Sequence, residues 1–168
     1  MKRLHRIVGR VLEGIVVVLM VGLAVEVLLG VTYRKLGNAL VWYDEIASVT
    51  LAWLTYYGAA LAALRGAHIG VPELVNLLPR AWRVAFACLA KALAITFIGL
   101  MSYAGWMVLE VLATDMLVSL PDVPVSYTQS VIPVGGALFL LAELLQFPDA
   151  IEAARRGSEP LVGESEPG

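Results

Sequence analysis

Charge is scarce in this chain and balanced in sign. Of 168 residues only 15% are charged, and 12 Lys+Arg against 14 Asp+Glu leave a formal net charge of −2. A nucleic-acid surface needs clustered basic side chains to neutralise phosphates, so that class of partner is excluded. Cysteine is nearly absent, Cys88 being the single one. It stands in an apolar run with no second thiol or histidine nearby, so neither an intrachain disulfide nor a cysteine metal site can be built. Histidine is almost as rare, with His5 and His68 alone. The patterns HExxH, GxSxG and GxxxxGK[ST] are missing too, and with them the usual zinc, acyl-transfer and phosphate-binding chemistries. No catalytic residue, metal or cofactor is therefore expected, and the chain does not read as an enzyme. Apolar surface is what it has: 60% of residues are hydrophobic and the mean hydropathy is +0.81, where a soluble domain runs about 45–50% apolar. A chain of this size has too little interior to hide that much from water. Lipid is the remaining solvent.

Crossing about 30 Å of hydrocarbon takes about 20 mostly apolar residues at about 1.5 Å each. Four stretches qualify, at about 11–32, 46–64, 84–109 and 127–147. They are continuous runs rather than alternating segments of about 10 residues, so helices are expected and a barrel is not. The fold class is an all-α integral membrane protein, a single four-helix domain over 1–150 with a polar, flexible tail at 151–168. The first run resembles a signal peptide in its basic flank. However, it is too long for one, lacks an A-x-A site, carries Glu13 and Glu26, and leads into three further spans.

Orientation follows from the basic residues. Lys2, Arg3, Arg6, Arg10, Arg65, Arg80, Arg83, Arg155 and Arg156 share one side, against Arg34 and Lys35 on the other. Both termini are expected in the cytoplasm. The far side carries Glu110, Asp115 and Asp122 before the fourth span. Between the second and third spans, Val71, Leu74, Val75 and Leu78 fall on one helical face, with Pro72 early and Pro79 at the end. That spacing predicts a short helix over 68–79 lying in the cytoplasmic interface.

Trp42 and Tyr43 precede the second span at headgroup depth, and Asp44 and Glu45 meet the positive end of its dipole. Trp53, Tyr56 and Tyr57 lie deeper and need polar partners inside the protein. Gly58, Ala59, Ala60, Ala62 and Ala63 form a small-residue face suited to close helix packing. Ionisable groups within spans are costly. Reckoned at about 1.5 Å per residue from the cytoplasmic edge, Glu13, Glu143 and Lys91 lie about 3, 6 and 10 Å deep. Lys91 can therefore reach either carboxylate, and charge pairing among the three is expected. Glu26 lies about 22 Å deep by the same reckoning, with Arg34 the nearer partner. Glu13 and Glu26 are about 220° apart around the helix, which disfavours a proton or ion relay.

The stretch 42–69, WYDEIASVTLAWLTYYGAALAALRGAHI, resembles the small membrane subunit of tripartite ATP-independent periplasmic (TRAP) transporters, the DctQ-like component. The matching positions are Trp42 and Glu45 opening the helix, Trp53 with Gly58, Ala59 and Ala60, and Arg65, His68 and Ile69 at the exit. Pro124, Tyr127, Pro133 and Gly135 resemble the family's entry to its last helix. The likeness covers roughly 8–147. It implies a bacterial inner-membrane protein that serves a large DctM-like permease subunit and a periplasmic DctP-like solute receptor. The large subunit would hold the substrate and ion sites for ion-gradient-driven uptake of an organic anion. The small one would scaffold it and help dock the receptor. Under that resemblance Trp42, Glu45, Trp53, Gly58, Arg65 and His68 are candidate interface or structural residues, and Glu110, Asp115 and Asp122 candidate docking residues. Two other readings stand beside it. One is a small homodimeric four-helix carrier using a membrane-embedded Glu. The other is a haem-binding membrane anchor, for which neither histidine lies within a span.

Overall fold

A computed structural model describes residues 2–66 and 79–156. They form α1 (Lys2–Lys35), α2 (Tyr43–Leu64), α3 (Arg80–Val111), the short α4 (Val125–Gln129) and α5 (Val131–Arg156), with a 3₁₀ turn at Leu112–Thr114. Four of the described helices are long and apolar enough to cross a membrane. The first three expected spans fall within α1, α2 and α3, and the fourth, 127–147, begins in α4 and continues through α5; α1 has 34 residues, about 51 Å at 1.5 Å per residue. The expected interfacial helix over 68–79 lies outside the described residues, apart from Pro79, which precedes α3.

The helix ends explain themselves locally. At the end of α1, Gly37 takes φ +80°. Its amide bonds to the Arg34 carbonyl and that of Asn38 to Tyr33. This is a Schellman stop, which only a residue tolerant of positive φ makes without strain. The last membrane segment is interrupted at Ser130, between α4 and α5. Pro133 then occupies the first turn of α5, where an amide has no intrahelical acceptor to lose. From there α5 runs through Gly135 and Gly136 and past Pro148 to Arg156, beyond the expected end at 147.

The long helices form an open layer rather than a closed bundle. α1 packs on α2, α2 on α5 and α5 on α3, and no other pair of them is extensively in contact. His5 meets Leu64 and Gly30 meets Tyr43, so α1 and α2 are antiparallel. Gly135 lies against Tyr56 and Gly66 against Gln146, so α2 and α5 run the same way, while Gly105 on Ile132 and Gly136 on Ser102 set α3 antiparallel to α5. The start of α1 and the end of α5 thus share one end of the layer, the end of Leu64. The 112–124 loop lies at the other, beside Tyr43.

On α1 the residues shielded against α2 include His5, Gly9, Leu12, Val16, Leu19, Leu23, Glu26 and Gly30, in alternating steps of four and three. That is the knobs-into-holes spacing of a left-handed helix pair. The rest of the outer half of α1, including Val21, Val25 and Leu28, is exposed. The tightest packing gathers Leu12, Ala60, Leu61, Ala63, Leu64 and Ala142 near the Leu64 end. Of the small residues on α2, Ala60 and Ala63 lie in this core, whereas Ala59 is exposed. Gly58 behaves differently, since a Cβ there would meet nothing within 4 Å.

Candidate functional site

At the Tyr43 end, the loop 112–124 folds on itself. The Leu117 amide donates to Val123 O (3.0 Å), Val125 N to Asp115 O (2.9 Å) and Val123 N to Leu120 O (2.9 Å). These bonds leave the amides at the tip unspent. Val118 N and Ser119 N instead donate to the two carboxylate oxygens of Glu45, at 3.1 and 2.8 Å, and the Ser119 hydroxyl donates to the same carboxylate. Hydrogen bonds to an ionised acceptor are shorter and stronger than neutral ones. Three of them tie the loop to the first turn of α2 across more than seventy positions of sequence. Glu45 thus does more than sit at a helix N-terminus.

Trp53 makes a second tie, its indole N–H donating to Thr128 O (2.9 Å) with the ring edge-on to Tyr57. Trp42 precedes α2 as a partly exposed ring without a side-chain cap bond. Around the pinned loop, Glu110, Asp115 and Asp122 are all exposed, as is Asp44. Val118, at the tip, is 95% exposed. The surface is an acidic rim about an apolar point.

The Leu64 end handles charge differently. Arg65 pairs with Glu13, and Lys91 Nζ reaches Glu143 Oε2 at 2.5 Å, with the Glu143 side chain fully buried. Of the two carboxylates within reach of Lys91, it takes Glu143. His5 Nε2 lies 2.9 Å from Leu64 O, donating to a carbonyl that the end of α2 leaves without an intrahelical partner. His68, expected close by, lies outside the described residues.

Glu26 departs from its expected pairing with Arg34. It occupies the α1–α2 seam facing Thr50, and its Oε1 is buried without a hydrogen-bond partner. The coil-like seam turns Glu26 inward to α2, whereas Arg34 is exposed. Among the described residues no group of three or more His, Cys, Asp or Glu is disposed to hold a metal ion.

The structure also brings in residues that the sequence did not flag: Val118 and Ser119 on Glu45, Thr128 on Trp53, Thr50 near Glu26, and Gly30 beneath Tyr43. A Cβ at Gly30 would lie 2.3 Å from the Tyr43 ring. The step pattern along α1 could have found Gly30, because it continues the series from Leu12 through Leu19 and Leu23. Nothing in local sequence signals the Ser119 contact.

Comparison with known proteins places these features. Residues 23–153 match the family described as tripartite ATP-independent periplasmic transporters, DctQ component. Among characterised relatives, the C4-dicarboxylate TRAP transporter small permease protein DctQ of Rhodobacter capsulatus is 30% identical over 69 residues. That alignment covers 41% of this chain and 30% of the relative, so well under two thirds of that protein is represented here. The family match takes in all of α2, α3 and α4, with Glu45, its loop and the Lys91–Glu143 pair, and on that extent the chain belongs to the DctQ component family of tripartite ATP-independent periplasmic transporters.

Proposed function

We propose that this chain is the small membrane subunit of a TRAP transporter. It braces a large DctM-like permease subunit and helps a DctP-like receptor dock during ion-gradient-driven uptake of an organic anion. The observation that carries the reading is the open layer. Among the described residues α1 and α3 are edge helices, each packed along one side, and their outer faces are apolar. Such faces suit lateral packing against another membrane protein, which in lipid relies on close contact rather than on a hydrophobic driving force.

Function divides between the two ends. The basic residues cluster toward the Leu64 end, which we assign to the cytoplasm together with both termini, in a bacterial inner membrane. The Tyr43 end then faces the periplasm and offers Glu110, Asp115 and Asp122 on a loop held still by Glu45. A receptor with a basic docking face would be steered there, and like-charged surfaces repelled. The substrate class follows the relative, whose name specifies C4-dicarboxylates. The homodimeric carrier is the weaker reading. It needs a membrane-embedded carboxylate open to a passage, whereas Glu13 pairs with Arg65 and Glu26 faces the α1–α2 seam.

The test is reconstitution. With large subunit and receptor present, the combined variant Glu110→Gln, Asp115→Asn, Asp122→Asn is expected to lower receptor affinity and receptor-dependent uptake several-fold. Co-purification with the large subunit should be unchanged. Unaltered uptake and affinity would remove these three from docking. Solute movement by this chain alone in liposomes would overturn the bracing role.

A further inference from the structure

α2 and α3 both pack on α5 but stay apart from each other, and a slot of about 210 Å³ opens between them. Its floor is α5, where Gly135 and Gly136 present no side chain. Tyr56 and Ala59 line one wall, Met101 and Ser102 the other, and Phe139 closes one end. The floor spans 132–139, about 10 Å along the helix at 1.5 Å per residue. The slot lies midway along α2, between the Glu45 tie and the Lys91–Glu143 pair. A Cβ on Gly136 would collide with the Ser102 hydroxyl, so that oxygen is turned onto the glycine backbone and the walls facing the void are apolar.

We propose that this slot binds one acyl chain of a bilayer lipid. Water is a poor occupant, because a buried water needs two to four polar partners and these walls offer almost none. A transmembrane helix is about 10–12 Å across with its side chains and cannot enter. The α5 floor runs along the helix axis, the direction in which lipid chains run, and Thr55 and Ala59 at the α2 edge of the slot are exposed. Left empty, the walls forfeit the dispersion contacts that a close-packed neighbour supplies. Met101, unbranched and adaptable, can close onto an inserted chain. The proposal stands apart from the transporter assignment, because it is scored on this chain's own peptides.

The experiment uses membranes containing the full chain with its partner subunits and a phospholipid carrying a photoactivatable diazirine on one acyl chain, read by peptide mass spectrometry. Labelling of the Met101 and Phe139 peptides is expected to saturate as probe is added and to be competed by unlabelled phospholipid. Labelling at Leu144, on the exposed face of α5 opposite the slot and resolved from Phe139 by fragmentation, should rise in proportion. Ala59→Phe places a ring in the slot and should reduce the Met101 and Phe139 labelling several-fold, with that at Leu144 unchanged. Saturation in the native chain decides the question even if that variant fails to fold. Proportional labelling at Met101 and Phe139 would overturn the site. So would unchanged labelling in a folded Ala59→Phe protein, or cross-linking of a cysteine at Thr55 to a neighbouring subunit with no lipid label in the slot.

Discussion

The two ends of the layer treat charge in opposite ways. At the Leu64 end, carboxylates meet cations inside the chain, as Glu13 with Arg65 and Glu143 with Lys91. At the Tyr43 end no ion pair forms among the described residues. Glu45 is satisfied by amides and a hydroxyl, and Glu110, Asp115, Asp122 and Asp44 remain exposed. A charge spent on an internal partner is worth little to a visitor, whereas an exposed one on a fixed loop can be used by it. The first end holds the helices together; the second presents a surface.

If that division is right, the largest loss of stability should follow from breaking the buried pair. Lys91→Met removes the ammonium from a fully buried carboxylate. Deleting one partner of a buried ion pair typically costs about 3–5 kcal/mol. The variant should therefore give far less folded protein after heating in detergent. Replacing both, as Lys91→Met with Glu143→Leu, should restore most of it, since a well-packed apolar substitute for such a pair is often neutral. A Lys91→Met protein as heat-resistant as the native one would mean that α3 and α5 are held by packing alone.

The opposite treatment of the two ends was only half legible in the sequence. The spans were readable because lipid imposes one rule on every residue of a run: apolar side chains over about 20 positions. That Lys91 meets a carboxylate was readable from depth, but depth left Glu13 and Glu143 both open, and the structure takes Glu143. The Glu45 tie was not. Its partners are backbone amides on a loop without periodicity, and they become available only because Leu117 and Val125 bond elsewhere. Glu26 was misassigned to Arg34 because depth was counted while facing was not. The order of the layer was likewise hidden, because hydropathy says which residues meet lipid or protein but not which helix is the neighbour.

Breaking the Glu45 tie should cost less stability and more function. Glu45→Ala frees the Val118 and Ser119 amides. Hydrogen exchange at both should rise, with the amides of α2 beyond its first turn unchanged. Glu45→Gln keeps an acceptor and should fall between. In the assembled transporter the Ala variant is expected to weaken receptor docking and to lower the yield of complex more than it alters substrate affinity. A Glu45→Ala protein with native exchange at Ser119 would show that the loop's own turn holds it. The contrast between the ends would then rest on exposure alone.

The smallest effect is expected at Glu13 and Arg65. Both side chains are about half exposed, at 46% and 56%, and an ion pair with access to water contributes about 0–1 kcal/mol. Glu13→Gln should shift the melting temperature little, and added salt should narrow even that difference, because exposed charges are screened. The pair nevertheless joins α1 to the end of α2, the helix on which α1 is extensively packed among the described residues. Its loss should therefore appear locally, as faster exchange in the first turns of α1, where His5 still holds the Leu64 carbonyl. A Glu13→Gln destabilisation as large as that of Lys91→Met would mean that this pair is shielded from water in the membrane. The Leu64 end would then be locked by two buried bridges rather than one.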